Sequence, residues 1–274
     1  ITDLAALPPS DIYIDGQLEN RSFYLGNNVS TGNNFKAPAN VFIEGEQVGL
    51  FWGYKTNGIY SSNADALAGP TFNGTANQAG DVIFVDVNGD GNINDADKTN
   101  IGNPNPDYIV SFGTNVNYKN WSLSANFYGV FGNEIYNANY LSEVYSAENR
   151  YNNTRVSYLN NYYDPTTNPT GNLPALNLQN ATLNEVGVVD TAVQDGSYLR
   201  LQSVSLGYTV PLSKTSKITG LKFFASAGNL FTWTNYNGFN PEISSLRFTP
   251  GVSGVDIASP PNQKTFTFGA SINF

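Results

Sequence analysis

The chain has 274 residues, 13 Lys and Arg against 22 Asp and Glu, a formal net charge of −9, and no His, Cys or Met. This composition excludes a disulfide, a Cys₄ zinc site and any mechanism that needs His or Cys, and the charge disfavours a nucleic-acid backbone as partner. Charged residues at 13% and aromatics at 14% exclude a long coiled coil, and there is no apolar run long enough for a membrane-spanning helix.

With no Met, the chain is expected not to begin at a start codon, so Ile1 reads as a processed or cut start. Residues 1–47 carry strand-like pieces at 11–14, 23–25 and 41–43 that share no common phase. Residues 48–56 read as a strand, and about 57–106 as a long loop.

Inside that loop lies Asp86-Val87-Asn88-Gly89-Asp90-Gly91-Asn92-Ile93-Asn94-Asp95-Ala96-Asp97. Counting Asp86 as position one, oxygen-bearing side chains fall at 1, 3 and 5, glycine at 6 and an acid at 12. This is the spacing of a calcium loop, in which a hard dication draws six to eight oxygens from one turn. Asp86, Asn88, Asp90, the Asn92 carbonyl and Asp97 are the expected ligands of a structural Ca²⁺. Asp97 is shorter than the usual Glu, and no helix flanks the loop. The bland alternative is a pair of solvated Asn-Gly and Asp-Gly turns.

From residue 108 on, the apolar period is two. Tyr108, Val110, Phe112, Thr114, Val116 and Tyr118 alternate with Ile109, Ser111, Gly113, Asn115 and Asn117. After a two-residue connection, Lys119-Asn120, the parity switches to Trp121, Leu123, Ala125, Phe127, Gly129 and Phe131, which predicts a tight hairpin. A third run holds Val204, Leu206, Tyr208 and Val210; Leu199 and Leu201 upstream are out of phase with it, the mark of a bulge. Leu221, Phe223, Ala225 and Ala227 form a fourth. Phe266, Phe268, Ala270, Ile272 and Phe274 form the last.

Opposite these apolar faces stand mainly Ser, Thr, Asn and Gly rather than Lys and Glu. A soluble antiparallel sheet puts charge on its outer face. An apolar face backed by small neutral polar residues is the pattern of a transmembrane β-barrel, lipid outside and lumen inside. Tyr108 and Tyr118 are ten residues apart, about 33 Å along a strand. With a tilt near 40° that is about 25 Å of height, which puts the two rings in opposite aromatic girdles. A sandwich that uses the same aromatics as core is the alternative. Connections also alternate: short at 119–120 and 211–220, long at about 57–106, 132–196 and 234–263. Short periplasmic turns and long external loops follow that rhythm. The count comes to about seven or eight strands.

Taken together, the motifs resemble a known family. They are Gly53-Tyr54-Lys55-Thr56-Asn57-Gly58-Ile59-Tyr60, Gly80-Asp81 leading into the 86–91 turn, and Ile101-Gly102-Asn103-Pro104-Asn105-Pro106-Asp107-Tyr108. Further along come Asp195-Gly196-Ser197-Tyr198-Leu199-Arg200-Leu201, Leu206-Gly207-Tyr208, Gly228-Asn229-Leu230-Phe231, Asn235-Tyr236-Asn237-Gly238-Phe239-Asn240-Pro241-Glu242 and the terminal Phe274. In order and spacing the chain resembles the C-terminal part of SusC/RagA-type TonB-dependent outer-membrane transporters of Bacteroidota.

The resemblance implies an all-β, antiparallel transmembrane barrel, of which residues 1–274 supply the C-terminal portion of a plugged barrel of about 22 strands. The plug and the region that meets the TonB complex are expected outside this chain. It further implies outer-membrane location, contact with outer-membrane lipid, a SusD-like surface lipoprotein as lid, and import of an oligosaccharide or peptide. No catalytic residue is indicated and no enzyme is expected; substrate-binding residues are not singled out. Tyr136–Tyr140 and 158–163, rich in aromatics and Asn, would suit sugar contact, lid contact or loop packing. Arg200 is expected to face the lumen and pair with an acid. Two alternatives stand beside this reading: a small self-contained pore or adhesin, and a secreted calcium-binding carbohydrate-binding sandwich.

Overall fold

The computed structural model describes Leu4 and residues 7–29, 37–140, 156–175, 188–213, 217–243, 249 and 251–274. The chain divides into two compact units, one of residues 106–133, 195–242 and 260–274, the other of 1–105, 134–194 and 243–259.

The first unit is an antiparallel sheet of five strands: Tyr108–Tyr118, Trp121–Phe131, Tyr198–Thr209, Gly220–Thr234 and Thr265–Asn273, paired in that order. The expected hairpin forms with Tyr118 opposite Trp121 and Phe112 opposite Phe127. Lys119 takes the left-handed backbone (φ 53°) that so tight a turn requires. Gln202 is the extra residue between Leu201 and Ser203 against Phe127 and Asn126, where the broken phase predicted a bulge. Asn229 (φ 53°) offsets it on the next strand.

Because pairing in register keeps every second side chain on one face, the apolar residues line up across all five strands. One row runs Tyr118, Trp121, Tyr208, Phe223, Ala270; the next runs Val116, Leu123, Leu206, Ala225, Phe268. The opposite face carries rows such as Asn115, Ser124, Ser205, Ser226, Thr267. Aromatics gather at both ends of the apolar face, Tyr118, Trp121 and Tyr208 at one and Tyr108 with Phe131 at the other, the girdle arrangement expected from their spacing. Much of that face is open: Leu123 is 40% exposed, Phe112 54% and Phe268 79%. A soluble sandwich would bury these side chains. Some large residues also stand on the polar face, among them Tyr128 and Tyr198; Phe224 there lies over Gly269, where a Cβ would stand 2.3 Å from its ring.

The second unit is built from short pieces. The strand-like segments near residue 11, 23 and 41 are the strands Ser10–Ile14, Phe23–Leu25 and Asn40–Ile43. Ser10–Ile14 pairs with Gln17–Arg21, and a four-stranded sheet joins Thr99–Gly102, Leu50–Gly53, Asn40–Ile43 and Phe23–Leu25. Here the expectation of seven or eight barrel strands is corrected. The 48–56 run, read as another of them, is Leu50–Gly53, four residues buried on both faces. It belongs to this unit's core, with Phe51, Ile93, Tyr136 and Val255. Among the described residues, strands long enough for a barrel wall number five.

Described residues of the expected long loops, about 57–106, 132–196 and 234–263, therefore pack in one core with Val29, Ala39, Phe51 and Tyr54: Phe72, Ile93, Tyr136, Val189 and Val255. Asn40, fully buried, staples two of these segments: its amide donates to Gly49 O (2.7 Å) and Ser253 O (2.9 Å) and accepts from Ser253 N (3.1 Å). Gly53 lets the chain pass under Val188, whose carbonyl would be 2.3 Å from a Cβ and instead accepts from Tyr54 N at 2.9 Å. Among the described residues no helix is long and apolar enough to cross a membrane, which says nothing of a β-barrel.

Candidate functional site

The loop 86–97 lies in the second unit and is held by its own carboxylates. Asp86 Oδ1 accepts from Gly89 N (2.7 Å) and Asp90 N (3.2 Å), and Oδ2 from Gly91 N (2.7 Å). Asn88 Oδ1 accepts from Asp90 N (2.9 Å), and Asp90 Oδ1 from Asn92 N (2.8 Å). Gly89 (φ 75°) and Gly91 (φ 81°) provide the reversals. Asp86, Asn88 and Asp90 are thus gathered on one turn.

The remaining two expected ligands are placed differently. The Asn92 side chain reaches the 71–74 turn, accepting from Gly74 N (2.7 Å) and Thr71 Oγ1 (2.9 Å), while its carbonyl accepts from Asn94 Nδ2 (2.9 Å). Asp97 is fully buried; it accepts from Val87 N (2.9 Å) and Asn94 N (2.8 Å), and so closes the loop on itself. Burial pushes its carboxyl above the ordinary carboxylate range and the charge of Asp86 adds to this, while the N–H groups of Asn94, Val87 and Asn88 pull the other way. Among the described residues no three Asp, Glu, His or Cys side chains stand together as a metal-binding group. A cation on this turn would rest on Asp86, Asp90, the Asn88 amide and main-chain carbonyls. The donor set is all oxygen and fits a hard cation weakly.

A second polar cluster lies on the polar face of the sheet. Arg200, 5% exposed, donates to Thr232 Oγ1 (3.1 Å), Asn240 Oδ1 (3.2 Å) and Glu242 Oε2 (2.6 Å). Its guanidinium also lies 5.0 Å from the Tyr198 ring centroid. The expected acid partner is Glu242, in the Asn-Pro-Glu end of the 235–242 motif; nothing in local spacing links it to a residue 42 positions away. Ser197 sits at the mouth of the same strand, its N donating to Asp195 Oδ1 (2.8 Å) and its Oγ accepting from Gly132 N (3.0 Å). These bonds make Gly196-Ser197-Tyr198 a strand entry. Asp195 is held below its ordinary value by the Ser197 hydroxyl against a burial penalty.

Of the aromatic segments considered for sugar contact, Tyr136, Tyr158 and Tyr163 are buried. Tyr158 donates to Pro174 O (2.9 Å) and Tyr163 to Ser61 O (3.1 Å). They pack the interior of the second unit and offer no face for stacking.

No family model matches the chain. It is 31% identical over 251 residues to TonB-dependent receptor P3 of Formosa agariphila, covering 89% of this chain and 24% of that protein. It is 27% identical over 277 residues to TonB-dependent receptor SusC of Bacteroides thetaiotaomicron, covering 100% of this chain and 23% of SusC. Among solved structures, the RagAB peptide transporter superposes with a TM-score of 0.63 at 20% identity, over 92% of this chain and 24% of that one. The same importer in its open-open state gives 0.62 over 97% of this chain. The chain spans about a quarter of the length of the curated relatives it matches. The resemblance carried by the motifs is thereby shown, and the fold is that of part of a TonB-dependent barrel.

Proposed function

We propose that this chain, a relative of the SusC-type TonB-dependent receptors over a quarter of their length, forms the C-terminal wall of an outer-membrane nutrient importer. The observation that carries the reading is the sheet: an uncovered apolar face with aromatic ends, backed by neutral polar rows. A face of that kind suits lipid on one side and a water-filled or plugged lumen on the other. The same reading includes a SusD-like lipoprotein lid, coupling to TonB through a region outside these residues, and an oligosaccharide or peptide as cargo. The names of the relatives, those of receptors and a peptide transporter, support a role in transport rather than catalysis.

Two measurements test this. The sheet ends in unpaired strands at Tyr108–Tyr118 and Thr265–Asn273, and bare N–H and C=O groups are costly in lipid. Residues 1–274 expressed alone should therefore not give a heat-stable monomer in detergent; such a monomer would favour a small self-contained pore instead. On whole cells, Cys in place of Thr166, in a long connection, should react with an impermeant maleimide, and Cys in place of Asn120 should not. The reverse pattern would overturn the orientation. Ser244, in the 234–263 connection, lies outside the described residues.

We further propose that the 86–97 turn takes Ca²⁺ as a structural ion. Support comes from the preformed Asp86–Asn88–Asp90 turn with its two left-handed glycines. Two exposed carboxylates make a weak site, so affinity in the extracellular range of about 10⁻⁴–10⁻³ M is expected. Terbium luminescence titrated against calcium reads this directly, and no competition at 10 mM calcium would leave only solvated turns.

A further inference from the structure

Beside the calcium turn the second unit carries an open groove of about 490 Å³. Its floor is apolar and mostly aliphatic: Ile12, Val188 and Trp52 are buried, and Ala37, Pro38 and Phe23 are half-buried. Its rim is acidic. Among the described lining residues, Asp11, Asp90 and Asp95 stand exposed there against one cation, Lys98. Lys98 Nζ is already 2.7 Å from Asp95 Oδ1. Asp11 accepts from Asn20 Nδ2 (2.7 Å) and Asp90 Oδ2 from Asn88 Nδ2 (3.0 Å), both neutral donors. Three carboxylates against one ammonium leave two charges uncompensated on the rim.

We propose that this groove binds a cationic peptide segment, an apolar side chain seated on the floor and a Lys or Arg at either side reaching Asp11 and Asp90. The charge is complementary, and long basic side chains lay their methylenes on apolar surface while the head meets a carboxylate. A saccharide fits less well. Its ring needs an open aromatic plane, whereas Trp52 is 7% exposed and Tyr13 and Phe23 are half-buried; a neutral ring also leaves the rim carboxylates without a counter-charge. The groove is a site separate from the proposed import role, and it does not require the metal, although Asp90 belongs to both. Bound calcium would withdraw Asp90 from the rim.

The test uses the full-length receptor that contains these residues, extracted from membranes in detergent, with EDTA present. Fluorescein-labelled Lys-Leu-Lys is titrated by anisotropy against Lys-Ser-Lys and Glu-Leu-Glu. Lys-Leu-Lys should bind most tightly and Glu-Leu-Glu not measurably. Asp11→Asn with Asp90→Asn, an isosteric pair at exposed positions, should weaken Lys-Leu-Lys by about fivefold or more, and Glu44→Gln, an exposed acid elsewhere, should leave it unchanged. Equal binding of the basic and acidic peptides, no binding of any, or an unchanged affinity in the double variant would overturn the proposal. Displacement of the peptide by millimolar cellotriose would overturn it in favour of a saccharide site.

Discussion

In the five-stranded sheet Phe231, Phe266 and Phe268 stand 52–79% exposed, while in the other unit Phe51, Ile93 and Val255 are at most 1% exposed. Both sets are large apolar side chains in short-range β-structure. They differ in what the remaining face meets. On the proposed reading the sheet has an apolar medium on one side, so its strands need no internal core and can run for eleven to fifteen residues, with the alternation broken only at the Gln202 and Asn229 bulges. The other unit must cover its apolar groups with its own chain. It does so by bringing residues 40 and 253, or 54 and 188, into hydrogen-bond contact, and its strands are short. The same residue types thus report opposite surroundings, and substitutions should separate the two.

Phe51→Ala should have the largest effect. It opens a cavity in a closed core and should cost the second unit about 3–5 kcal/mol. Limited proteolysis should show cleavage spreading through residues 1–105, while heat-modifiable gel mobility, a property of the barrel wall, stays. Loss of both together would mean that the two units do not keep separate cores.

Next comes the uncovered face. Phe112→Arg, mid-strand, should cost about 2–4 kcal/mol of assembly in bilayers, read from urea titration of folded protein in lipid vesicles. Asn115→Arg, on the polar face, should cost less than about 1 kcal/mol and change conductance or permeation instead. Equal costs for the two would mean that the apolar face does not meet lipid.

Arg200 provides the third comparison, inside the sheet itself. Arg200→Met removes three donated hydrogen bonds, two of them from a buried group to neutral oxygens. It should cost about 2 kcal/mol. Glu242→Gln should cost well under 1 kcal/mol, because Glu242 is 57% exposed and water can replace the charge. A larger loss in the Glu242 variant would reverse the assignment of which partner depends on the other.

The sheet was legible because its rule is local. Period-two alternation placed the Tyr108–Tyr118 and Trp121–Phe131 hairpin to the residue, and the phase break at Leu201 located the bulge at Gln202. The matching bulge at Asn229 was not legible, since Leu230 and Phe231 show no break that distinguishes it from a strand end. In the other unit the signal is long-range. Leu50-Phe51-Trp52 is a continuous apolar run that fits a barrel strand and a doubly buried core strand equally, and only its partners decide. The site shows the same division. The turn formed by Asp86, Asn88 and Asp90 was readable from spacing, because these side chains bond to main-chain groups two to five residues away. The groove beside it was not, for its walls come from residues 11–25, 37–52, 88–98 and 188.

The smallest effect expected concerns Asp97, and its sign distinguishes metal from no metal. Burial raises this carboxyl above its unfolded value. A group raised in this way contributes stability that is fully present below the unfolded carboxylate pKa, near 4, and that is lost as pH rises through the folded value. Without a cation the 86–97 turn should therefore tighten on acidification. The Tyr54 main-chain amide, which donates to Val188 in the core of the second unit and not to Asp97, should gain hydrogen-exchange protection between pH 7 and pH 4.5 after correction for intrinsic rates. Asp97→Asn should show that protection already at pH 7 and lose the pH dependence. Bound calcium favours the ionised turn, because Asp86 and Asp90 must be deprotonated to hold it. In 10 mM calcium the trend should then flatten or reverse, with protection falling as acid displaces the ion. An unchanged acid-side gain in calcium would show that the turn binds no cation, while leaving the burial of Asp97 as the cause of the gain.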